Sequence, residues 1–174
     1  MKEVRAAVDN FPVGYRFLAD EWLPDGLKIS ESVEVATALA AAGVAYLSVM
    51  GGTYESFFLP DVTQASRKDG YMVDLAAAVK KAVKVPVIAA GRISNGAFAE
   101  SVIKEGKADL IGLARVLWAD PEWPSKVKEG RDDDIIHCAS ECDDTCTKLV
   151  TKGKLAFCVR WNHQKLQEWK EKKA

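Results

Sequence analysis

Four cysteines carry the densest chemistry in this sequence: Cys138, Cys142 and Cys146 in "HCASECDDTC", and Cys158 in "KLAFCVRW". The chain before Cys138 holds none. Their spacing is C-x3-C-x3-C-x11-C. Four thiolates so grouped can hold zinc or an iron–sulfur cluster. Three close ligands with a distant fourth fit a cubane-type cluster better than a zinc ribbon, which pairs its cysteines two and two. The competing reading is four free or disulfide-bonded thiols. Cys142 and Cys146 are four apart, which predicts a shared helix face. His137, beside Cys138, reads as structural.

A second pattern is built from arginine and small residues. "AAGRISNG" places Gly91 and Arg92, and "IGLARVLWADP" places Gly112, Ala114 and Arg115, just past an apolar run and just before a helical one. A phosphate at a helix start wants backbone N–H groups, close approach and a cation. One such loop would read as a turn with a surface ion pair. Two in consecutive units point to a phosphate site. Arg16 interrupts the strand-like "VGYRFLA". It is either an edge-strand cation facing water or a cation facing an anionic or electron-rich ligand. Tyr54, in "GGTYES" behind Gly51 and Gly52, could donate a proton, or only pack its ring.

The elements that must position these residues alternate. "FPVGYRF" (11–17), "VAYLSVM" (44–50), "VPVIAAG" (85–91) and "ADLIGLA" (108–114) read as short buried strands. Between and after them the spacing predicts helices over 30–43, 71–83, 95–106 and 121–130. Ser30 is the expected N-cap of the first and Gly43 its stop. Pro121 is expected in the first turn of the last. The segment after the second strand, "GGTYESFFLPDVTQASRKDG", reads as a long functional loop.

Strand–helix repetition argues for parallel strands with crossover helices, in an open doubly wound sheet or a barrel. A barrel needs eight units in about 250 residues. Here four fall within residues 1–136, so barrel material would be half a barrel. Its end strands would then present unpaired apolar edges that need cover.

Composition narrows the function classes. The chain has 174 residues, 48% of them apolar, enough for a sizeable core. With 24 basic and 25 acidic residues, it gives no sign of nucleic-acid or membrane binding. No apolar run approaches the roughly 20 residues that span a bilayer. "MKEVRAAVDN" has no apolar core of a secretion signal. A cytoplasmic, reducing setting is expected, where clustered cysteines bind metal more often than they form disulfides. The charged tail "KLQEWKEKKA" reads as a solvated helix.

Taken together, "VPVIAAGRIS", "KADLIGLARVLWADP", "EGRDDDIIHC" and the cysteine group resemble the C-terminal half of the Old Yellow Enzyme family of FMN-binding (β/α)8 barrels. The likeness runs from about residue 1 to about 160. It is nearest to the iron–sulfur branch that contains 2,4-dienoyl-CoA reductase and trimethylamine dehydrogenase. The resemblance implies that Arg16 faces the N1 and O2 edge of the flavin. It implies that Gly91 and Arg92, with Gly112, Ala114 and Arg115, cradle the FMN phosphate. Tyr54 falls near a position where the dienoyl reductase uses a proton-transferring His. Cys138, Cys142, Cys146 and Cys158 match the ligands of a 4Fe–4S cluster. That branch spaces its first two cysteines by two residues; here the gap is three.

The expectation is therefore an α/β chain, the C-terminal half (four βα units) of a TIM (β/α)8 barrel with a cysteine-rich C-terminal extension. Residues 1–136 would bind FMN; residues 137–174 would carry the cluster and a terminal helix. The implied function is an FMN-dependent, iron–sulfur oxidoreductase of the ene-reductase type. Its substrate would be a small molecule with an activated C=C bond. Barrel strands one to four, with most substrate-facing residues, would come from a partner chain or have been lost by truncation; self-association through open edges is the other route. The alternatives are a non-catalytic electron-transfer or assembly subunit holding a 4Fe–4S cluster, and a zinc-stabilised half-barrel.

Overall fold

Four short strands lie side by side in chain order. They are β1 (Gly14–Leu18), β2 (Tyr46–Met50), β3 (Val87–Ala89) and β4 (Leu110–Ile111). All neighbours are parallel and the sheet order is β1-β2-β3-β4. A doubly wound sheet reverses its order at a switch point, whereas a barrel adds each strand beside the last. The observed order is the second, so the chain is a run of consecutive barrel-type βα units. The computed structural model describes residues 1–138, 142 and 144–171, and of Lys2 the backbone alone.

The chain divides into two compact units: residues 1–93 with 97–112, and residues 94–96 with 113–174. The first holds the sheet with α1 (Lys2–Val8), α2 (Ile29–Ala41), α3 (Pro60–Ala65), α4 (Val73–Ala82) and most of α5 (Gly96–Lys104). The second holds α6 (Arg115–Ala119), α7 (Trp123–Lys128), α8 (Thr145–Thr151) and α9 (His163–Glu171). α9 buries no residue, as the charge of the tail predicts; residues 172–174 lie outside the described part.

Register shows how the first unit makes its core. Tyr15 and Phe17 pair with Leu47 and Val49, and Leu47 with Val87. Leu47, Val49, Val87 and Ala89 are fully buried, along with Ala36 of α2 and Ala76 and Val79 of α4. This is the helix-covered face. Side chains alternate between faces, so the intervening residues line the other. In register there are Gly14 with Tyr46, Arg16 with Ser48, Leu18 with Met50, Ser48 with Ile88, and Ile88 with Leu110. Tyr46 and Leu110 are exposed, and Leu18, Met50 and Ile88 only half-buried. An apolar face carrying one arginine is thus open on the side that would be a barrel's interior.

Several local expectations change. α2 starts one residue before Ser30. Its N-cap is Lys28, whose amide donates to the Glu31 carboxylate at 3.0 Å. Gly43 does stop that helix, at φ 80°. The long loop after β2 contains a 3-10 turn (Ser56–Phe58) and α3. The helix expected over 121–130 is α7, with Pro124 rather than Pro121 in its first turn and Gly130 beyond its end at φ 69°. Cys142 and Cys146 do not share a helix. α8 begins at Thr145, because Asp144 before it takes the left-handed conformation at φ 49°.

Candidate functional site

In the first unit, the site residues gather at the sheet's open face and at the C-terminal ends of its strands. Arg16 is the third residue of β1 and is exposed; its Nε–H points to the Met50 sulfur. Gly91 follows β3 at φ 107°, and a Cβ there would stand 2.9 Å from the Met72 amide nitrogen. Only glycine lets the backbone pass so close. Arg92 is itself left-handed at φ 54°; its Nε lies 3.5 Å from Asp69 Oδ1, and its carbonyl accepts the Gly70 amide at 3.3 Å. Gly112 follows β4 and donates to the Ala89 carbonyl at 2.7 Å. A cation after a strand, beside a glycine that a side chain would displace, is the donor set a phosphate monoester needs.

Trp22, which the sequence did not single out, organises the loops over these strand ends. It is left-handed at φ 55°, and its amide donates to Asp20 Oδ1 at 2.8 Å. Its ring covers Gly51 and Gly52, where a Cβ would come within 2.6 and 2.7 Å of it. The ring also meets Phe57 edge-on at 5.9 Å and Tyr71 at 6.0 Å. A bulky residue at positive φ is strained and persists only where its surroundings fix it. Tyr54 lies in the same loop with 86% of its surface exposed. The loop beneath it is tied by Thr53 N–H to Ser56 Oγ (2.8 Å) and Ser56 N–H to Thr53 Oγ1 (3.1 Å).

In the second unit, all four cysteines line one cavity, together with Arg115, Trp118 and Phe157. They are free thiols, each half-buried. Cys138 ends the segment after α7, Cys142 precedes α8, Cys146 lies in its first turn, and Cys158 lies in the stretch between α8 and α9. The three residues between Cys138 and Cys142 lie outside the described part. Burial pushes the Cys138 thiol up; the Arg115 guanidinium opposes this, and the other three cysteines add to it. A cation bound by thiols displaces their protons.

Among the described residues, no three His, Cys, Asp or Glu side chains are drawn together closely enough to hold a single ion. Four thiols lining one cavity share the donor type of both a zinc site and an iron–sulfur cluster.

Ala114 is the exposed residue before α6, and Arg115 is the first residue of that helix. Arg115 donates from Nη1 to Asp144 Oδ1 at 2.5 Å. The arginine expected at a phosphate thus also borders the cysteine cavity. The sequence patterns did not reveal this double position, because the two motifs are some twenty residues apart.

Comparison with known proteins places these features in context. Residues 1–134 match the model of the NADH:flavin oxidoreductase / NADH oxidase family. The chain is 42% identical over 148 residues to an NADH oxidase of Thermoanaerobacter brockii, covering 84% of this chain and 22% of that one. It is 35% identical over 157 residues to a metal reductase of Desulforamulus reducens, covering 90% and 23%. Among solved structures, a 2-naphthoyl-CoA reductase complex matches with a TM-score of 0.83 and 30% identity, over 92% of this chain and 24% of that one. The chain spans less than a quarter of the length of each of these relatives.

Proposed function

The chain belongs to the NADH:flavin oxidoreductase / NADH oxidase family, and from that premise we propose that it forms the phosphate end of an FMN site and the whole ligand set of a 4Fe–4S cluster. The observation that carries the reading is the single cavity lined by Cys138, Cys142, Cys146 and Cys158, with Arg115 at its border.

Bound flavin would supply hydride exchange with a nicotinamide donor and with an activated C=C bond, and a bound cluster would carry single electrons. The residues would divide the work as follows. Arg16 lies on the open face, where a fixed positive charge favours negative charge on a ligand. Arg92 in the first unit and Arg115 in the second are each a candidate guanidinium for a phosphate, and Gly91 and Gly112, and separately Ala114, keep the backbone beside them free of bulk. Tyr54 is the candidate proton donor; its exposure leaves it free to meet a substrate. The four cysteines would bind as thiolates.

The open face supports a further part of the reading. Leu18, Tyr46, Met50, Ile88 and Leu110 present apolar surface on one side of a sheet whose other side is packed. The remaining strands of a closed barrel, from another segment or another chain, would cover it. The relative named as a naphthoyl-CoA reductase favours a conjugated small-molecule substrate for the assembled enzyme.

The test is to purify the assembled particle anaerobically and read its visible spectrum and flavin content. FMN together with broad absorbance that bleaches on reduction is expected. A particle that includes the covering strands yet carries neither flavin nor iron would overturn the reading.

A further inference from the structure

The three stretches that carry the cysteines are each tied to one short segment, residues 115–120. Asp120 caps the C-terminal end of α6, and its Oδ2 accepts from the Ile136 amide at 2.9 Å, two residues before Cys138. Arg115 holds Asp144, midway between Cys142 and Cys146. The Trp118 carbonyl accepts from Trp161 Nε1 at 2.8 Å, and the Trp161 amide in turn donates to the Cys158 carbonyl at 3.1 Å. Within the middle stretch, Thr145 Oγ1 donates to the Cys142 carbonyl at 2.6 Å.

These ties differ in strength. Lys126 Nζ lies 2.6 Å from Asp120 Oδ2 and also donates to the Asp134 carbonyl at 3.0 Å. Asp120 is 3% exposed and Lys126 8%. Truncating Asp120 leaves the buried Lys126 ammonium with only the exposed Glu122 carboxylate at 4.0 Å, so this anchor dominates. The Trp161 bond is half-buried and neutral. The Arg115–Asp144 pair has side chains 34% and 58% exposed and is screened by solvent.

We infer that residues 115–120, fastened by the buried Asp120–Lys126 pair, are the positioning scaffold that sets the cysteine cage, with Asp120 and Lys126 as positioning residues for Cys138 and Trp161 for Cys158. Nothing in the cysteine spacing demands this arrangement. It follows from three hydrogen-bonded ties converging on six residues. It rests on the cluster reading for the identity of the guest, but the pre-formed geometry of the thiols is a separate claim.

Two measurements on the assembled protein separate the claims. Anaerobic reconstitution with iron and sulfide tests the guest: failure of the wild-type protein to take up either defeats the cluster reading. Bridging of neighbouring thiols by dibromobimane in metal-free protein tests the geometry, whatever the guest. Asp120→Ala should slow bridging through Cys138 by about tenfold, lower bound iron and shift the cluster's midpoint potential, with the circular dichroism unchanged. Asp120→Asn combined with Lys126→Met keeps an acceptor for Ile136 without a buried charge, and should restore bridging and potential. Trp161→Phe should slow bridging through Cys158 and leave Cys138 unaffected; it decides the matter if Asp120→Ala does not fold. Wild-type bridging rates in Trp161→Phe and in any folded Asp120→Ala protein would overturn the inference.

Discussion

Arg115 Nη1 and Asp144 Oδ1 lie 2.5 Å apart, so the first residue of α6 is held by the stretch that separates Cys142 from Cys146. Under the proposed function this guanidinium, which borders the cysteine cavity, would also serve the flavin phosphate. Arg115→Ala should weaken FMN binding by about tenfold, the loss of a charge-assisted hydrogen bond. Flavin fluorescence titration of the assembled enzyme reads this. Arg115→Lys should recover part of the affinity, since it keeps the charge but loses the planar fork. Unchanged affinity in Arg115→Ala would remove the residue from the phosphate site.

Arg16 makes a prediction about potential. Its charge stands on the open sheet face, in register with Ser48. If that face receives the flavin ring, Arg16→Met should move the flavin midpoint to more negative values, on the order of 30 mV for each 1.4 kcal/mol of lost interaction. Redox titration of the assembled enzyme checks it. A midpoint equal to that of the wild type would place Arg16 away from the ring.

Gly91 makes one about backbone. At φ 107°, with the Met72 amide 2.9 Å from where a Cβ would be, Gly91→Ala must either strain or displace the loop. The expected loss is about 1–3 kcal/mol of stability, read by urea denaturation, together with reduced flavin affinity. Gly106→Ala is the control. That glycine also has positive φ, but nothing lies within 4 Å of its would-be Cβ. Equal losses in both variants would show that Gly91 matters for conformation alone.

Asp120 makes one about pH. Burial alone would raise its carboxyl. The Lys126 ammonium, the amides of Ile136 and Glu122 and the Lys126 charge outweigh burial, and hold it below the ordinary value of 3.8. A carboxyl depressed in the folded state contributes stability above its unfolded pKa, and loses it as pH falls through the folded value. The stability gap between the wild type and Asp120→Asn should therefore be full at neutral pH, shrink as pH falls below about 4, and close below the folded pKa. Thermal unfolding across that range measures it. A gap independent of pH would mean that the carboxylate charge is not what stabilises the pair.

Much of the fold was legible because its signals are local. Apolar runs bounded by glycine and charge marked all four strands, and Gly43, Gly106 and Gly130 each follow a helix end at positive φ. Periodicity alone did not give the sheet order, since a run of βα units reads alike in a doubly wound sheet and in a barrel; the resemblance to a barrel family did, and the order β1-β2-β3-β4 agrees with it. The α3 helix was hidden because Pro60 looks like a breaker, although it sits in the first turn, where a missing N–H costs nothing. Ser30 lost the N-cap role to Lys28 because Glu31 supplies the acceptor from inside the helix. At the site, residue types pointed to the cysteines and arginines. Their supports did not stand out: Lys126 reads as a solvent-facing lysine, and its burial against Asp120 depends on a chain path that spacing does not encode. Trp22 escaped notice for the same reason, since its role rests on two glycines some thirty residues away.

The account stands most directly on what the cysteine cavity holds. Anaerobically purified protein, analysed for iron, zinc and acid-labile sulfide, should carry about four iron and about four sulfide per chain. The same analysis of Cys142→Ser and Cys146→Ser proteins should find that iron largely gone. Zinc without sulfide in the wild-type protein, or full iron and sulfide in both variants, would contradict it.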